Sequence, residues 1–115
     1  MNVKKIIGNI GEEKVVWKYR IKGYKILARN FSCRYGELDI VAQKGETIVV
    51  VEVKTRKNNK FAQAKEFVDY RKQEKIKSTT NIFIQKNKFA DYNIRFDVAE
   101  VYTENNTINI IENAF

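Results

Sequence analysis

The chain contains no histidine and no proline, and only one cysteine and five glycines among its 115 residues. Without histidine there is no imidazole base, no histidine-ligated zinc and no Ser-His-Asp triad. Cys33, being alone, excludes an internal disulfide and fits a reducing compartment. The lack of proline and the scarcity of glycine argue against a loop-dominated protein. No apolar run nears the roughly 18 residues of a membrane span, and the N-terminus has no signal-peptide apolar core. A cytoplasmic protein with no membrane partner is expected.

What is present suits one folded domain over residues 1–115. Hydrophobic residues make up 43%, charged residues 31% and aromatics 12%, a mix that can bury a core. Net charge is +8, unevenly spread. Residues 1–36 hold nine basic and two acidic side chains, whereas residues 37–53 hold four acids and only Lys44. Residues 54–77 are again strongly basic. The basic flanks suit a polyanion such as nucleic acid. The acids between them need a separate reason.

Periodicity predicts a helix over residues 3–22, ended by Gly23. It has two apolar stripes, one of Ile6, Ile10, Trp17 and Ile21, the other of Val15, Val16 and Tyr19, so the helix is either sandwiched in the domain or used at a subunit contact. Strands are expected at 24–30, 37–43 and 47–54. A second helix is expected from Ala64 to Gln85, with a break near Tyr70 and an inner edge of Ile76, Thr80 and Phe83. The alternation of Asn93 to Tyr102 predicts a strand with Ile94, Phe96 and Val98 on one face and Arg95 and Asp97 on the other. Thr107 to Ile111 closes as an edge strand. The order α-β-β-β-α-β-β defines an α/β protein with a mixed sheet and flanking helices.

Gly45-Glu46 suits a type II′ hairpin turn, which pairs Lys44 with Thr47. Counting outward, Asp39 falls opposite Glu52 and Glu37 opposite Lys54. Strict alternation puts Leu38, Ile40, Ala42, Val49, Val51 and Val53 on one apolar face. The other face carries Glu37, Asp39, Glu52 and Lys54 at its far end. Two half-buried carboxylates so placed repel by ~1–4 kcal/mol, depending on the local dielectric. A shared proton, the Lys54 cation or a divalent metal can offset that repulsion. A structural ion-pair network centred on Lys54 is the plain reading of such a group. Two hard oxygen ligands beside one ammonium are also the minimum equipment for metal-assisted phosphodiester hydrolysis.

The Asp39…Glu52-Val53-Lys54 pattern resembles the signature of the PD-(D/E)xK, or restriction-endonuclease-like, superfamily. Ala28-Arg29-Asn30-Phe31, Tyr35-Gly36-Glu37-Leu38-Asp39-Ile40-Val41-Ala42, Val51-Glu52-Val53-Lys54-Thr55-Arg56 and Arg95-Phe96-Asp97-Val98 resemble, in order, the bacterial YraN-like family, itself similar to Holliday-junction resolvases. The resemblance implies a restriction-endonuclease-like fold and an endonuclease dependent on Mg²⁺ or Mn²⁺. Asp39, Glu52 and Lys54 would be catalytic, and Asp39, Glu52 and the Val53 carbonyl would hold the metal. Gly8-Asn9-Ile10-Gly11-Glu12 matches the helix position of a further catalytic acid, which makes Glu12 rather than Glu13 the candidate. The family has a small residue where Val15 stands. Relatives of this kind work as homodimers, so a homodimer is expected.

Arg56, Lys57 and Lys60 follow the catalytic strand, where they could grip a phosphate backbone or simply form a solvated basic loop; Arg29 and Arg34 could do likewise from the other side. Lys72-Gln73 resembles a family pair that could touch a phosphate. Asp97 is read as structural, paired with Arg95 or a neighbour. Cys33 lacks a histidine to activate it. Phe31, Tyr35, Phe61 and Tyr70 could stack on bases, although core packing is the commoner role for phenylalanine. The expectation is a nucleic-acid-binding protein, DNA ahead of RNA, that hydrolyses phosphodiester bonds, with branched DNA one candidate substrate. The alternatives are a nucleic-acid-binding protein without turnover and an accessory factor binding the ribosome or another protein.

Overall fold

The computed structural model describes residues 3–58 and 68–115. Lys60, Phe61 and the expected helix start at Ala64 lie outside the described residues. The elements follow the expected order: α1 (Val3–Ile21), β1 (Lys25–Cys33), β2 (Gly36–Lys44), β3 (Thr47–Arg56), α2 (Tyr70–Asn87), β4 (Asn93–Tyr102) and β5 (Thr107–Ile111).

Local chemistry accounts for the ends of both helices. After α1, Gly23 adopts φ 93°, which a residue without Cβ tolerates. The Gly23 N–H then donates to Arg20 O at 2.9 Å and the Tyr24 N–H to Tyr19 O at 3.0 Å, the paired bonds of a Schellman cap. Val68 and Asp69 are not helical, and α2 begins at Tyr70. Asp69 is the N-cap of α2 and accepts from the Lys72 N–H at 2.8 Å. Apolar periodicity alone runs through this cap.

The strands form one sheet in the order β1-β2-β3-β4-β5. Neighbours are antiparallel except β3 and β4, which run parallel from Thr47↔Asn93 to Arg56↔Tyr102 and are joined through α2. A parallel pair needs such a crossover. The hairpin register is the expected one, with Lys44↔Thr47, Gln43↔Ile48 and Val41↔Val50, and Gly45 takes φ 59° in the turn.

One helix covers each face. Val15, Val16 and Tyr19 of α1 pack on Ile40, Val49, Val51, Ala99 and Val101. Gly11 permits the close approach, because a Cβ there would stand 2.9 Å from Thr55 Oγ1. On the other face Ile76 and Phe83 of α2 join Leu38, Val41, Ile48, Val50 and Val98. Each fully buried Val, Ile or Phe contributes roughly 1.5–3 kcal/mol. The second stripe of α1 stays open: Ile10, Trp17 and Ile21 are exposed.

Leu38 corrects the sequence reading. Strict alternation places it with Ile40 under α1, yet Leu38 packs under α2 while Ile40 packs under α1. The β2–β3 pairing ends at Ile40↔Val51, and the β1–β2 register passes from Arg29↔Ile40 to Phe31↔Leu38 without a pair at Asn30 and Asp39. Asn30 is left-handed, at φ 54°. The strand turns at Asp39, and alternation restarts out of phase. For the same reason Glu37 pairs with Ser32 of β1 rather than standing opposite Lys54.

Asp97 locks the α1 face. It is 0% exposed and accepts from Tyr19 Oη at 2.7 Å, from Arg95 Nε and Nη2 at 2.9 Å each, and from the Asn113 N–H at 3.0 Å. Arg95 also donates to Tyr24 Oη at 3.0 Å. Burial and the Asp97 carboxylate push the Tyr19 phenol far up, and the hydrogen bonds to Asp97 hold Arg95 above its ordinary value. This is the structural role expected of Asp97. Asp97→Ala strands a half-buried guanidinium and a buried phenol, so thermal or urea denaturation should show a loss of about 3 kcal/mol. A loss under about 1 kcal/mol would show that the network is dispensable.

Candidate active site

The break in sheet pairing creates the site. Beyond Ile40↔Val51 the Val53 N–H donates to Asp39 Oδ2 at 2.8 Å, so a side chain takes the place of a backbone carbonyl. Asp39 thereby sits between the parted strands β2 and β3, with Glu52, only 7% exposed, beside it. A cleft of about 290 Å³ opens there, walled by Gly36, Asp39, Glu52, Lys72 and Lys75. Gly36 keeps the wall close to α2: its φ is 155°, and a Cβ would stand 3.2 Å from Thr79 Oγ1.

The two acids crowd each other, and a side-chain hydrogen bond links them. Burial, then the Glu52 charge, push Asp39 from the ordinary aspartate value of 3.8 up to about 7, with a hydrogen bond to Glu52 and the more distant Glu12 charge adding to the effect. The Val53 N–H opposes the rise. Glu52 is also bound by Lys72 Nζ at 2.7 Å. Burial lowers Lys54, and the neighbouring Lys72 lowers it further, against the pull of Glu52. Burial also acts to lower Lys72, but the hydrogen bond and charge of Glu52 outweigh it, and Lys72 is held above its ordinary value. The centre is thus a carboxyl pair with one firmly charged ammonium and one ammonium inclined to lose its proton.

Asp39 and Glu52 line the cleft together; Lys54 is near enough to feel the charges of Glu52 and Lys72 but is not part of the cleft wall. Glu12, 8% exposed, projects from the sheet-facing side of α1, where it accepts from Asn30 Nδ2 at 3.2 Å and Arg29 Nε at 3.4 Å. Its charge reaches Asp39, but it does not line the cleft. Among the described residues no three or more acid, histidine or cysteine side chains gather as a metal cage. The donor set that fits a hard divalent ion is therefore Asp39 and Glu52, with the Val53 carbonyl as a further oxygen. The raised Asp39 marks a place where positive charge is favoured. Mg²⁺ needs no larger protein set, since it commonly keeps several waters.

The expected phosphate-binding residues divide. Arg29 spans α1, with Nη1 2.6 Å from Glu13, and the Glu13 hydrogen bond holds its pKa up. Gln73 donates to Val68 O at 2.8 Å and braces the start of α2. Arg56 Nε stands 3.5 Å from Glu100. Lys57 is exposed beside Thr55 and Thr103 in a separate cleft of about 620 Å³. Arg34 lies over the Tyr35 ring, 4.8 Å from its centroid. Lys72, expected on phosphate, is found on Glu52.

Two residues escaped the sequence reading. Glu100 is buried in register with Lys54 and is bound by Asn109 Nδ2 at 3.0 Å and Tyr102 Oη at 3.1 Å. Only the parallel pairing of β3 with β4 brings it to this face. Asn30 both turns β1 opposite Asp39 and holds Glu12. Its tolerance of left-handed backbone was the one signal available.

A pH dependence follows from Asp39. Between about pH 4 and 7 the unfolded chain has lost this proton and the folded chain keeps it, so raising pH favours unfolding. In EDTA, Asp39→Asn should raise Tm at pH 8 by several degrees, about 1–3 kcal/mol, with little change at pH 4. The asparagine Oδ1 can still accept from Val53. Equal destabilisation at both pH values would show that Asp39 is not held protonated by its surroundings.

Comparison with known proteins agrees with the expected resemblance. The model of "Uncharacterised protein family UPF0102" matches residues 11–101. A UPF0102 protein of Caldicellulosiruptor saccharolyticus is 47% identical over 116 residues, covering 97% of this chain and 98% of its own. One from Caldicellulosiruptor bescii is 46% identical over the whole of both chains, and one from Fusobacterium nucleatum is 47% identical over 84% of this chain and 81% of its own. The matched span takes in Glu12, Asp39, Glu52 and Lys54, and on that likeness the chain belongs to the uncharacterised protein family UPF0102.

Proposed function

We propose that the protein is a nucleic-acid-binding endonuclease that hydrolyses phosphodiester bonds with Mg²⁺ or Mn²⁺. One observation carries the reading: two mutually repelling carboxylates, Asp39 and Glu52, line one cleft together with Lys72 and Lys75. Asp39, Glu52 and the Val53 carbonyl would hold the ion. When bound it supplies an acidified water and neutralises phosphate charge. Lys54, its ammonium disfavoured by burial and by Lys72, can orient the attacking water and accept its proton. Lys72 pairs with Glu52 at 2.7 Å and has further N–H donors for a phosphate oxygen. Glu12 acts on the site through its charge on Asp39 and through its hold on Arg29 and Asn30. The basic surface, within a net charge of +8, would draw the polymer in, DNA ahead of RNA.

A binding protein without turnover is the competing reading, favoured by Lys72 already standing on Glu52 as a cation. Cleavage assays on branched, single-stranded and duplex DNA and RNA, with Mn²⁺, Mg²⁺ or EDTA, separate the two. Metal-dependent cleavage is expected, with Asp39→Ala and Lys54→Ala each losing about 100-fold or more of the rate while still binding. Binding that weakens steeply with salt but no cleavage on any substrate would leave the non-catalytic reading.

A homodimer belongs to the same proposal, with the open stripe of α1 as its contact; Trp17 is 55% and Ile21 83% exposed there. Trp17→Glu with Ile21→Glu should shift sedimentation from dimer to monomer. A wild-type protein that sediments as a monomer at micromolar concentration would remove the dimer.

A further inference from the structure

A second cleft lies beside the carboxylates. About 550 Å³ in volume, it is walled by Arg34 and Tyr35 from the β1–β2 turn and by Tyr70, Arg71, Glu74 and Lys75 from the first turns of α2. Lys75 lines both clefts, and Tyr35 in one is the chain neighbour of Gly36 in the other. The two clefts therefore adjoin at Lys75.

Its walls have a particular chemistry. Tyr35 and Tyr70 are 42% and 75% exposed, unlike the aromatic rings of the core. Arg34 Cζ lies over the Tyr35 ring, 4.8 Å from its centroid, and Nη2 donates to the Tyr35 hydroxyl at 2.7 Å. The pair combines an aromatic ring with a positive charge. Three cations, Arg34, Arg71 and Lys75, face one acid, Glu74. A ligand that matches this set has a flat π-face, negative charge on either side of it and an N–H edge for Glu74. An unpaired nucleotide within a strand has all three. A base stacked in a duplex does not, because both of its faces are already covered.

We propose that this cleft is a subsite for one unpaired nucleotide next to the phosphate at Asp39 and Glu52, so that the substrate class is single-stranded or locally unpaired nucleic acid. The placement of the neighbouring phosphate rests on the endonuclease reading; the stacking site does not. Stacking on tyrosine tolerates any base and either sugar, so the cleft selects strandedness rather than sequence.

The test is binding in EDTA, where no metal-dependent cleavage can interfere. Short DNA and RNA single strands carrying 2-aminopurine, and the same strands annealed to complements, would be titrated with the full-length protein. Single strands should bind more tightly than duplexes, with the probe fluorescence quenched on stacking. Tyr35→Ala with Tyr70→Ala should weaken single-strand binding about ten-fold or more and abolish the quench. The double Phe variant, which keeps both rings, should bind as the wild type does. Comparing Ala with Phe variants of equal Tm separates stacking from damage to the fold. Loss of binding and quench in the Ala variant establishes the subsite even if no cleavage is found, and the endonuclease reading then falls alone. Equal binding by wild type and Ala variant, a preference for fully paired duplex, or no binding to any strand overturns the subsite, whether or not cleavage occurs.

Discussion

Where β2 and β3 stop exchanging backbone hydrogen bonds, the Val53 N–H is satisfied by the Asp39 carboxylate, and the rest of the site follows from that substitution. A buried N–H needs an acceptor. By supplying one from a side chain, Asp39 allows the strands to part without an orphaned donor. It is thereby drawn into a half-buried position against Glu52. On the other side Asn30, left-handed at φ 54°, releases β1 at the same level. The opening between the strands and the strain between the acids are two consequences of one local event.

Asp97 and Asp39 show how the same residue type serves two ends. Asp97 is fully enclosed, yet two side chains and a backbone N–H, Arg95 donating twice, satisfy it. Nothing more is needed there, and its role is architectural. Asp39 has one backbone donor and an acid for a neighbour, so its proton is retained to about pH 7. Unmet demand for positive charge marks a site that can take a ligand, whereas a saturated carboxylate marks a brace. Around Asp39 the charges are also tiered. Lys72 stands on Glu52, Lys54 is weakened as an ammonium, and Glu100 with Arg56 extends the polar row across β3 and β4.

Much of this was legible in the chain. Gly45 set the hairpin turn, and the turn set the register that brings Asp39 towards Glu52. Alternation assigned Arg95 and Asp97 to one face and Phe96 and Val98 to the other, as found. Leu38 went astray because alternation holds only while pairing is unbroken, and the break falls at the functional residue itself. Lys72 and Gln73 are paired by the family resemblance, but on a helix adjacent residues point in different directions: one meets Glu52 and the other the Val68 carbonyl.

The amino-acid order by itself determined the elements, the turn, the caps and the presence of two acids and a lysine on the central hairpin, because these depend on dihedral preferences and on periods of two and 3.6 residues. Tertiary structure alone decided that β4 lies parallel to β3 and brings Glu100 to Lys54, that α2 delivers Lys72 to Glu52, and that Glu12 stays on the sheet-facing side of α1 in the grip of Asn30 and Arg29. Those outcomes depend on how distant segments cross and dock, and on which buried charge finds which partner. Both are set by burial in three dimensions rather than by spacing along the chain.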